Sequence, residues 1–161
     1  VPKLSAGVLL YRVRDGIVEV LIAHPGGPFW ARKDDGAWSI PKGEYTDDED
    51  PWGAAQREFA EELGLPTPAG PRVDLGVLKQ PGGKVVTAFA VRGDLDVTET
   101  RSNTFELEWP KGSGRMREFP EVDRVEWYPV ARARSKLLKG QRGYLDVLMA
   151  QPELAGCTEG S

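Results

Sequence analysis

The order of apolar segments predicts an α/β fold in which a mixed β-sheet is sandwiched between helices. Three features carry this expectation. Two pairs of β-prone stretches are each joined by a short Gly-containing turn, a sharply punctuated helix lies between the pairs, and two helical stretches close the chain. The hairpins require antiparallel neighbours in a layered α/β arrangement, so the sheet is expected to be mixed.

The first pair is Ser5 to Tyr11 and Val18 to Ala23, joined through Asp15-Gly16. A Gly/Pro-rich loop follows, from Pro25-Gly26-Gly27-Pro28 to Asp34-Asp35-Gly36, and then a short candidate strand, Trp38-Ser39-Ile40, stopped by Pro41. The helix runs from Pro51 to Leu63. Asp50 can cap its start, Pro51 suits the first helical position, and Gly64 suits the left-handed residue after its end. Trp52, Ala55, Phe59 and Leu63 recur at helical spacing and form its apolar stripe. Val73 to Leu78 and Lys84 to Val91 make the second pair across Pro81-Gly82-Gly83. Residues 92–120 read as polar and irregular, with Phe105 to Trp109 a short candidate strand, and Arg124 to Tyr128 is the last strand. Helices are expected over Val130 to Leu138 and Gly143 to Ala150, with a loose tail after Gln151. One domain spanning 1–161, its core over about residues 5–150, accommodates all of these.

Composition narrows the function classes. With 40% apolar and 29% charged residues the chain reads as a globular protein. No apolar run approaches a membrane span and no charged-then-apolar leader stands at the start, so no membrane partner is expected. One Cys (Cys157) and one His exclude an internal disulfide and a Cys/His zinc site, and a reducing cytoplasm is the simplest compartment. No basic stripe with interleaved aromatics points to nucleic acid. The net charge of −4 is uneven: the segment from Gly43 to Gly64 holds eight acids and one base, leaving the rest of the chain at +3. A solvated acidic helix would explain that distribution, and so would divalent cations bridging to an anionic substrate.

The helix geometry separates these readings further. With about 100° per residue, Glu58, Glu61 and Glu62 share one face roughly 100° wide, and Trp52, Phe59 and Leu63 lie on the neighbouring side. One side can therefore pack on a sheet while three carboxylates project together. Like charges at these spacings cost an isolated helix about 0.2–0.5 kcal/mol per pair, a cost that bound divalent cations would reverse. Oxygen ligands without thiol or imidazole select Mg²⁺ or Mn²⁺.

From Gly43 the sequence reads G-x5-E-x7-R-E-U-x-E-E-x-G-U, through Glu49, Arg57-Glu58-Phe59, Glu61-Glu62 and Gly64-Leu65. This resembles the Nudix box at all nine defined positions, and the strand order around it is similar to the Nudix fold over about residues 5–150. The resemblance implies hydrolysis of a phosphoanhydride by water, with Mg²⁺ or Mn²⁺ as cofactor. It implies metal ligation by Glu61 and Glu62, and a role for Glu58 as metal ligand or as base. It further implies a Glu49–Arg57 pair that fixes the loop against the helix, and a tight turn at Gly43 whose carbonyl reaches a metal. Members are often dimers, so a homodimer is compatible with the resemblance, although no apolar stripe marks an interface.

Outside the box, Trp38-Ser39-Ile40-Pro41-Lys42-Gly43 is similar to the stretch that precedes it in dinucleoside polyphosphate and diphosphoinositol polyphosphate hydrolases, making Lys42 a candidate phosphate ligand. Glu121, six residues before Trp127, resembles an additional catalytic glutamate of asymmetric dinucleoside tetraphosphate hydrolases. His24 is a candidate contact to phosphate or base, with a structural hydrogen-bonding role as the alternative. Trp30, Trp109 and Tyr128 are candidates for stacking on a base, against ordinary packing. Lys139 and Arg142 are candidates for a distal phosphate, against solvated surface charge. The expected substrate is a small nucleoside diphosphate-linked molecule, foremost a dinucleoside polyphosphate. Sanitation of oxidised nucleoside triphosphates and a non-catalytic nucleotide-sensing module are the rivals. An isomerase of the same fold would need a catalytic Cys, for which Cys157 is poorly placed.

Overall fold

A computed structural model describes residues 3–161. Its main sheet has six strands in a mixed arrangement. Strand β1 (Leu4–Arg14) turns at Asp15 and Gly16, both at positive φ, into antiparallel β2 (Ile17–Pro25). Two consecutive positive-φ residues match the twist of a two-residue hairpin, which is why an Asp-Gly pair stands there. The remaining sheet strands are β3 (Lys42–Tyr45), β4 (Arg72–Lys79) and β5 (Val85–Arg92). After the separate hairpin of β6 (Thr104–Glu108) and β7 (Met116–Pro120), β8 (Val122–Pro129) completes the sheet.

The sheet order is β4-β5-β1-β2-β8, with β3 paired to the first half of β1. β1 and β5 run parallel from Leu4 beside Val85 to Tyr11 beside Arg92, and the other pairs are antiparallel. Helix α1 (Pro51–Leu63) covers one face of the sheet. Helices α2 (Val130–Lys136) and α3 (Gly143–Met149) cover the other. The α/β/α sandwich explains the unbroken apolar runs of the central strands, whose alternate side chains are buried on opposite faces. Ala6, Val8 and Leu10 of β1 pack with Ala55, Phe59 and Leu63 of α1, whereas Leu9 and Tyr11 pack with Val130, Leu145 and Leu148.

Three local expectations change. Trp38-Ser39-Ile40 makes only single-residue bridges, Ser39 to Ala23 and Trp38 to Leu137, and the ladder starts at Lys42, beyond Pro41. Residues 116–120 form a strand that polarity concealed, because β7 pairs only with β6 and its residues are almost all exposed. The segment after Gln151 is bound, not loose. Thr158 exchanges backbone hydrogen bonds with Gly16 and Val18, Glu159 pairs with Arg134, and Leu154 is buried. No helix among the described residues is long and apolar enough to cross a membrane.

Candidate active site

Helix α1 forms where its punctuation predicts. Asp50 accepts from the Gly53 N–H at 3.0 Å, Pro51 opens the helix, and Gly64 ends it at φ 72°. Ala54, Ala55, Phe59 and Leu63 are fully buried against the sheet, which fixes the rotation of the helix. That rotation turns Glu58, Glu61 and Glu62 toward the edge where β1 and β3 meet. There they line a cavity of about 400 Å³ together with Ser5, Lys42, Gly43, Glu44, Lys84, Asn103 and Glu121.

Arg57 organises one side of this cavity. Its Nε and Nη2 donate to the two carboxylate oxygens of Glu49 at 2.9 and 3.0 Å, and its Nη1 reaches Glu58 at 2.8 Å and Glu61 at 3.4 Å. The expected Glu49–Arg57 pair is present in bidentate geometry, the arrangement that gives such pairs their directional strength. The expectation for Gly43 is corrected. Gly43 lies in extended strand β3, opposite Ala6, and makes no tight turn. A Cβ there would overlap the Glu58 carboxylate and force it to move.

The electrostatics follow from crowding carboxylates in a half-buried place. Burial pushes the Glu62 carboxyl up to about 8, against the opposing Lys42 charge and the backbone N–H of Lys42. Glu58 is also raised, first by burial and then by Glu61, with Arg57 holding it down. Both shifts say that this pocket wants compensating positive charge. Lys42 supplies some of it, although burial and the neighbouring charge of Lys84 pull its own value down.

Among the described residues no group of three His, Cys, Asp or Glu side chains closes into a finished metal cage. The reason is local: Arg57 draws Glu58 and Glu61 toward itself, and Glu62 accepts from the Lys42 N–H at 3.3 Å. Mg²⁺ takes only one or two carboxylates and completes its shell with water and substrate phosphate, so a preformed cage is not required. The donor set fits a hard divalent cation: carboxylates from Glu58, Glu61, Glu62 and Glu121 in a site without thiol or imidazole.

Two of the cavities that adjoin this one extend the site. The first, about 200 Å³, is lined by Ala23, Pro25, Trp30, Ile40, Val122 and Leu138 and shares Lys42, Glu62 and Glu121 with the carboxylate cavity. The second, about 470 Å³, lies toward the α2–α3 turn and shares Lys42 and Lys84. Lys42 therefore lines all three. Glu121 is brought into the site from the start of β8, its N–H bonded to the Asn103 carbonyl; the other acids weighed for its role, Glu106, Glu108, Glu118 and Asp123, line none of the three cavities.

His24 is not brought in. It is 4% exposed, with Nδ1 2.7 Å from Asp123 Oδ1 and Nε2 2.6 Å from the Lys33 carbonyl, so the structural alternative matches its geometry. Of the three aromatics, Trp30 lines a cavity, Trp109 meets Phe29 edge-on at the β6–β7 hairpin, and Tyr128 packs edge-on against Trp38. Lys139 lines the second adjoining cavity, whereas Arg142 donates to the Leu137 carbonyl. Ser5, Lys84 and Asn103 were not foreseen. Nothing in their local sequence separates them from ordinary strand and loop residues; the pairing of β1 with β3 and β5 brings Ser5 and Lys84 in, and Asn103 is held by backbone bonds to Glu61 and Glu121.

Comparison with known proteins agrees with this fold. The family model described as NUDIX domain matches residues 1–148. No curated protein matches the sequence. Among solved structures, a binary complex of a C. elegans Ap4A hydrolase is similar with TM-score 0.63 and 21% identity, covering 94% of this chain and 98% of that one. The NUDIX domain of Shewanella oneidensis NrtR, complexed with ADP ribose, has TM-score 0.63 and 16% identity, covering 92% and 86%. The M. smegmatis Nudix hydrolase RenU has TM-score 0.54 and 24% identity, covering 89% and 81%. At these identities the structures speak for the fold, and the family model speaks for the lineage. The Nudix hydrolases generally use divalent metal ions. With the box complete and its carboxylates gathered in one cavity, the chain belongs to the Nudix family of pyrophosphohydrolases.

Proposed function

We propose that the protein hydrolyses a phosphoanhydride bond of a dinucleoside polyphosphate or closely related polyphosphate, using Mg²⁺ or Mn²⁺. One observation carries the reading: Lys42, Glu62 and Glu121 line both the carboxylate cavity and the apolar cavity beside it. At about 200 Å³ the apolar cavity is smaller than the usual 300–1,000 Å³ ligand pocket, and it suits a planar base flanked by Trp30 and Ile40 more than a whole nucleotide. A nucleoside seated there places its phosphates beside Lys42 and over the carboxylates.

Glu61, Glu62, Glu58 and the Gly43 carbonyl are the groups that would hold the cations. Bound there, divalent ions would polarise the anhydride and lower the pKa of an attacking water. The residues of the chain do the rest. Arg57 keeps Glu58 and Glu61 aimed while balancing their charge. Lys42 donates to a phosphate oxygen. Glu121, which lines the same cavity and forms no ion pair with Arg57, accepts the proton of the water that attacks phosphorus. Water adds its oxygen to one phosphoryl group, the bridging P–O bond breaks, and the oxygen left on the other product keeps the bond pair.

A second reading, nucleotide sensing without turnover, is prompted by the likeness to a NUDIX domain complexed with ADP ribose. The complete set of box carboxylates favours catalysis. The separating experiment is product analysis with Mg²⁺ over dinucleoside polyphosphates, normal and oxidised nucleoside triphosphates, nucleotide sugars and diphosphoinositol phosphates. Preferred cleavage of a dinucleoside polyphosphate supports the proposal. Release of pyrophosphate from a triphosphate as the preferred reaction replaces it with the sanitation reading, and binding without turnover replaces it with sensing.

A further inference from the structure

His24 stands outside the carboxylate cavity, yet its surroundings differ from those of an ordinary packed histidine. The ring is buried at the end of β2, edge-on to Trp38 with centroids 5.3 Å apart. Nδ1 lies 2.7 Å from Asp123 Oδ1, and Nε2 lies 2.6 Å from the Lys33 carbonyl oxygen. A carboxylate and a carbonyl both accept. A neutral imidazole has one N–H and one lone pair, so it satisfies one of these partners and sets a lone pair against the other. An imidazolium donates to both, and the Asp123 carboxylate balances its charge. The other charges around the ring are engaged elsewhere. Lys136 donates to Asp34, which also takes the Trp38 indole N–H, and lies 3.5 Å from Asp35. Arg124 lies over the Trp38 ring, and the Lys33 ammonium lies over Trp30.

The two acceptors belong to two segments that frame the apolar cavity. On one side, the Trp30 N–H bonds to the Gly27 carbonyl and the Lys33 N–H to the Trp30 carbonyl, both within the loop that supplies the Trp30 wall. Those bonds shape the turn, and the bond from His24 to the Lys33 carbonyl runs from the turn to the sheet. On the other side, β2 and β8 slip by one residue. His24 pairs with Arg124 and Pro25 with Val122, which leaves Asp123 as the extra residue of a bulge. A bulge re-aims a side chain, and here the Asp123 carboxylate meets the His24 ring. Two residues earlier stands Glu121, which lines both the apolar and the carboxylate cavity and whose carbonyl accepts from the Gly26 N–H at 3.0 Å. A Cβ on Gly26 would overlap the Pro120 carbonyl, so the two segments run in close contact.

We propose that His24, donating from both ring nitrogens, is a positioning residue that clasps the Trp30 turn to the segment carrying Glu121 and so sets the shape of the apolar cavity. The inference rests on the proposed hydrolysis, in which that cavity takes a base and Glu121 takes a proton. Loss of one ring proton breaks one of the two bonds. The remaining N–H stays with the carboxylate, the stronger acceptor, and the Lys33 carbonyl is released. The Trp30 wall then loosens while the carboxylates of α1 keep their places, so substrate affinity suffers first. Asp123→Asn frees the clasp from charge. Its carboxamide N–H donates to a neutral Nδ1, and Nε2–H keeps the Lys33 carbonyl.

The chain contains one histidine, so every imidazole signal in the nuclear magnetic resonance spectrum of the whole, isotope-labelled protein belongs to His24. At pH 6 the spectrum is expected to show protons on both ring nitrogens, held against exchange with water by their bonds. As pH rises, loss of the second ring proton should move the Trp30 indole N–H signal, identified with Trp30→Phe. With the same midpoint, KM for diadenosine tetraphosphate in Mg²⁺ should rise about tenfold, the scale of one charge-assisted hydrogen bond. In Asp123→Asn neither the indole signal nor KM should show that midpoint. A single ring proton at pH 6, or an indole signal or a KM that ignores the titration of the ring, overturns the proposal. So does an Asp123→Asn protein that keeps the wild-type midpoint in both. An indole signal that follows the ring proton, in a protein that cuts no dinucleoside polyphosphate, would keep the clasp and overturn the substrate reading instead.

Discussion

The two sides of Lys42 make opposite kinds of site. On one side, a single box of 23 residues supplies Gly43, Glu49, Arg57, Glu58, Glu61 and Glu62, and their excess negative charge calls for cations. On the other, Lys84 and Lys139 come from turns 55 residues apart, and the excess positive charge calls for anions. The contrast teaches that the chemistry of this fold is encoded locally, because one helix can carry it, whereas the space that chooses the substrate is assembled by long-range pairing and leaves no local pattern.

The comparison can be broken most forcefully on the acidic side. Glu61→Gln, isosteric and 45% exposed in the parent side chain, should lower kcat/KM with Mg²⁺ by at least about a hundredfold, the scale of losing part of a metal site, while the thermal midpoint stays put. A loss of less than about threefold would remove Glu61 from the machinery. Gly43→Ala should cost on the order of a hundredfold in kcat, because the added methyl displaces the Glu58 carboxylate and small misplacements of a reacting group are that expensive. Measured turnover near wild type would show that Glu58 has room to move. Arg57→Lys keeps the charge but loses the bidentate grip on Glu49 and the reach to Glu58, and a drop of about tenfold in steady-state rate is expected. Equal rates in the two proteins would reduce Arg57 to a surface charge.

The smallest effect sharpens the contrast by pH. Glu62 has a raised carboxyl, at about 8 in the absence of metal. An acid raised on folding contributes stability that is full below its unfolded value, near 4.3, and is lost as pH rises through the folded value. Without metal, the thermal midpoint should therefore fall by a few degrees between pH 6 and pH 9, and saturating Mg²⁺ should remove the slope by replacing the proton. Glu62→Gln should flatten the metal-free profile. A flat wild-type profile in EDTA would contradict the assigned burial of charge at Glu62.

How much of this was legible in the sequence follows the same division. Helix α1 was readable because Asp50, Pro51 and Gly64 act on their immediate neighbours, and its carboxylate face follows from residue spacing alone. The α/β/α layering was readable in the hairpin signals and the unbroken apolar runs of β1 and β5. The place of β3 was not, because its four residues pair with the first half of β1, and Pro41 ends the more β-like Trp38-Ser39-Ile40 too early. Gly43 reads as a turn in the sequence because the carboxylate that crowds it comes from 15 residues away. For His24 the sequence leaves a substrate contact and a structural role side by side, and only the fold shows both ring nitrogens engaged, with Asp123 and with the Lys33 carbonyl. Phe105 to Trp109 shows β6 in the sequence, but its partner β7 hides because its residues are almost all exposed and leave no apolar signature.

The most direct measurement is the rate of diadenosine tetraphosphate hydrolysis by the purified chain, followed by chromatography of the products, first with Mg²⁺, then with EDTA, then with Mg²⁺ restored. The account predicts turnover to a mononucleotide and a nucleoside triphosphate, loss of turnover in EDTA and recovery on adding Mg²⁺. Turnover that persists in EDTA, or none under any of the three conditions, would contradict it.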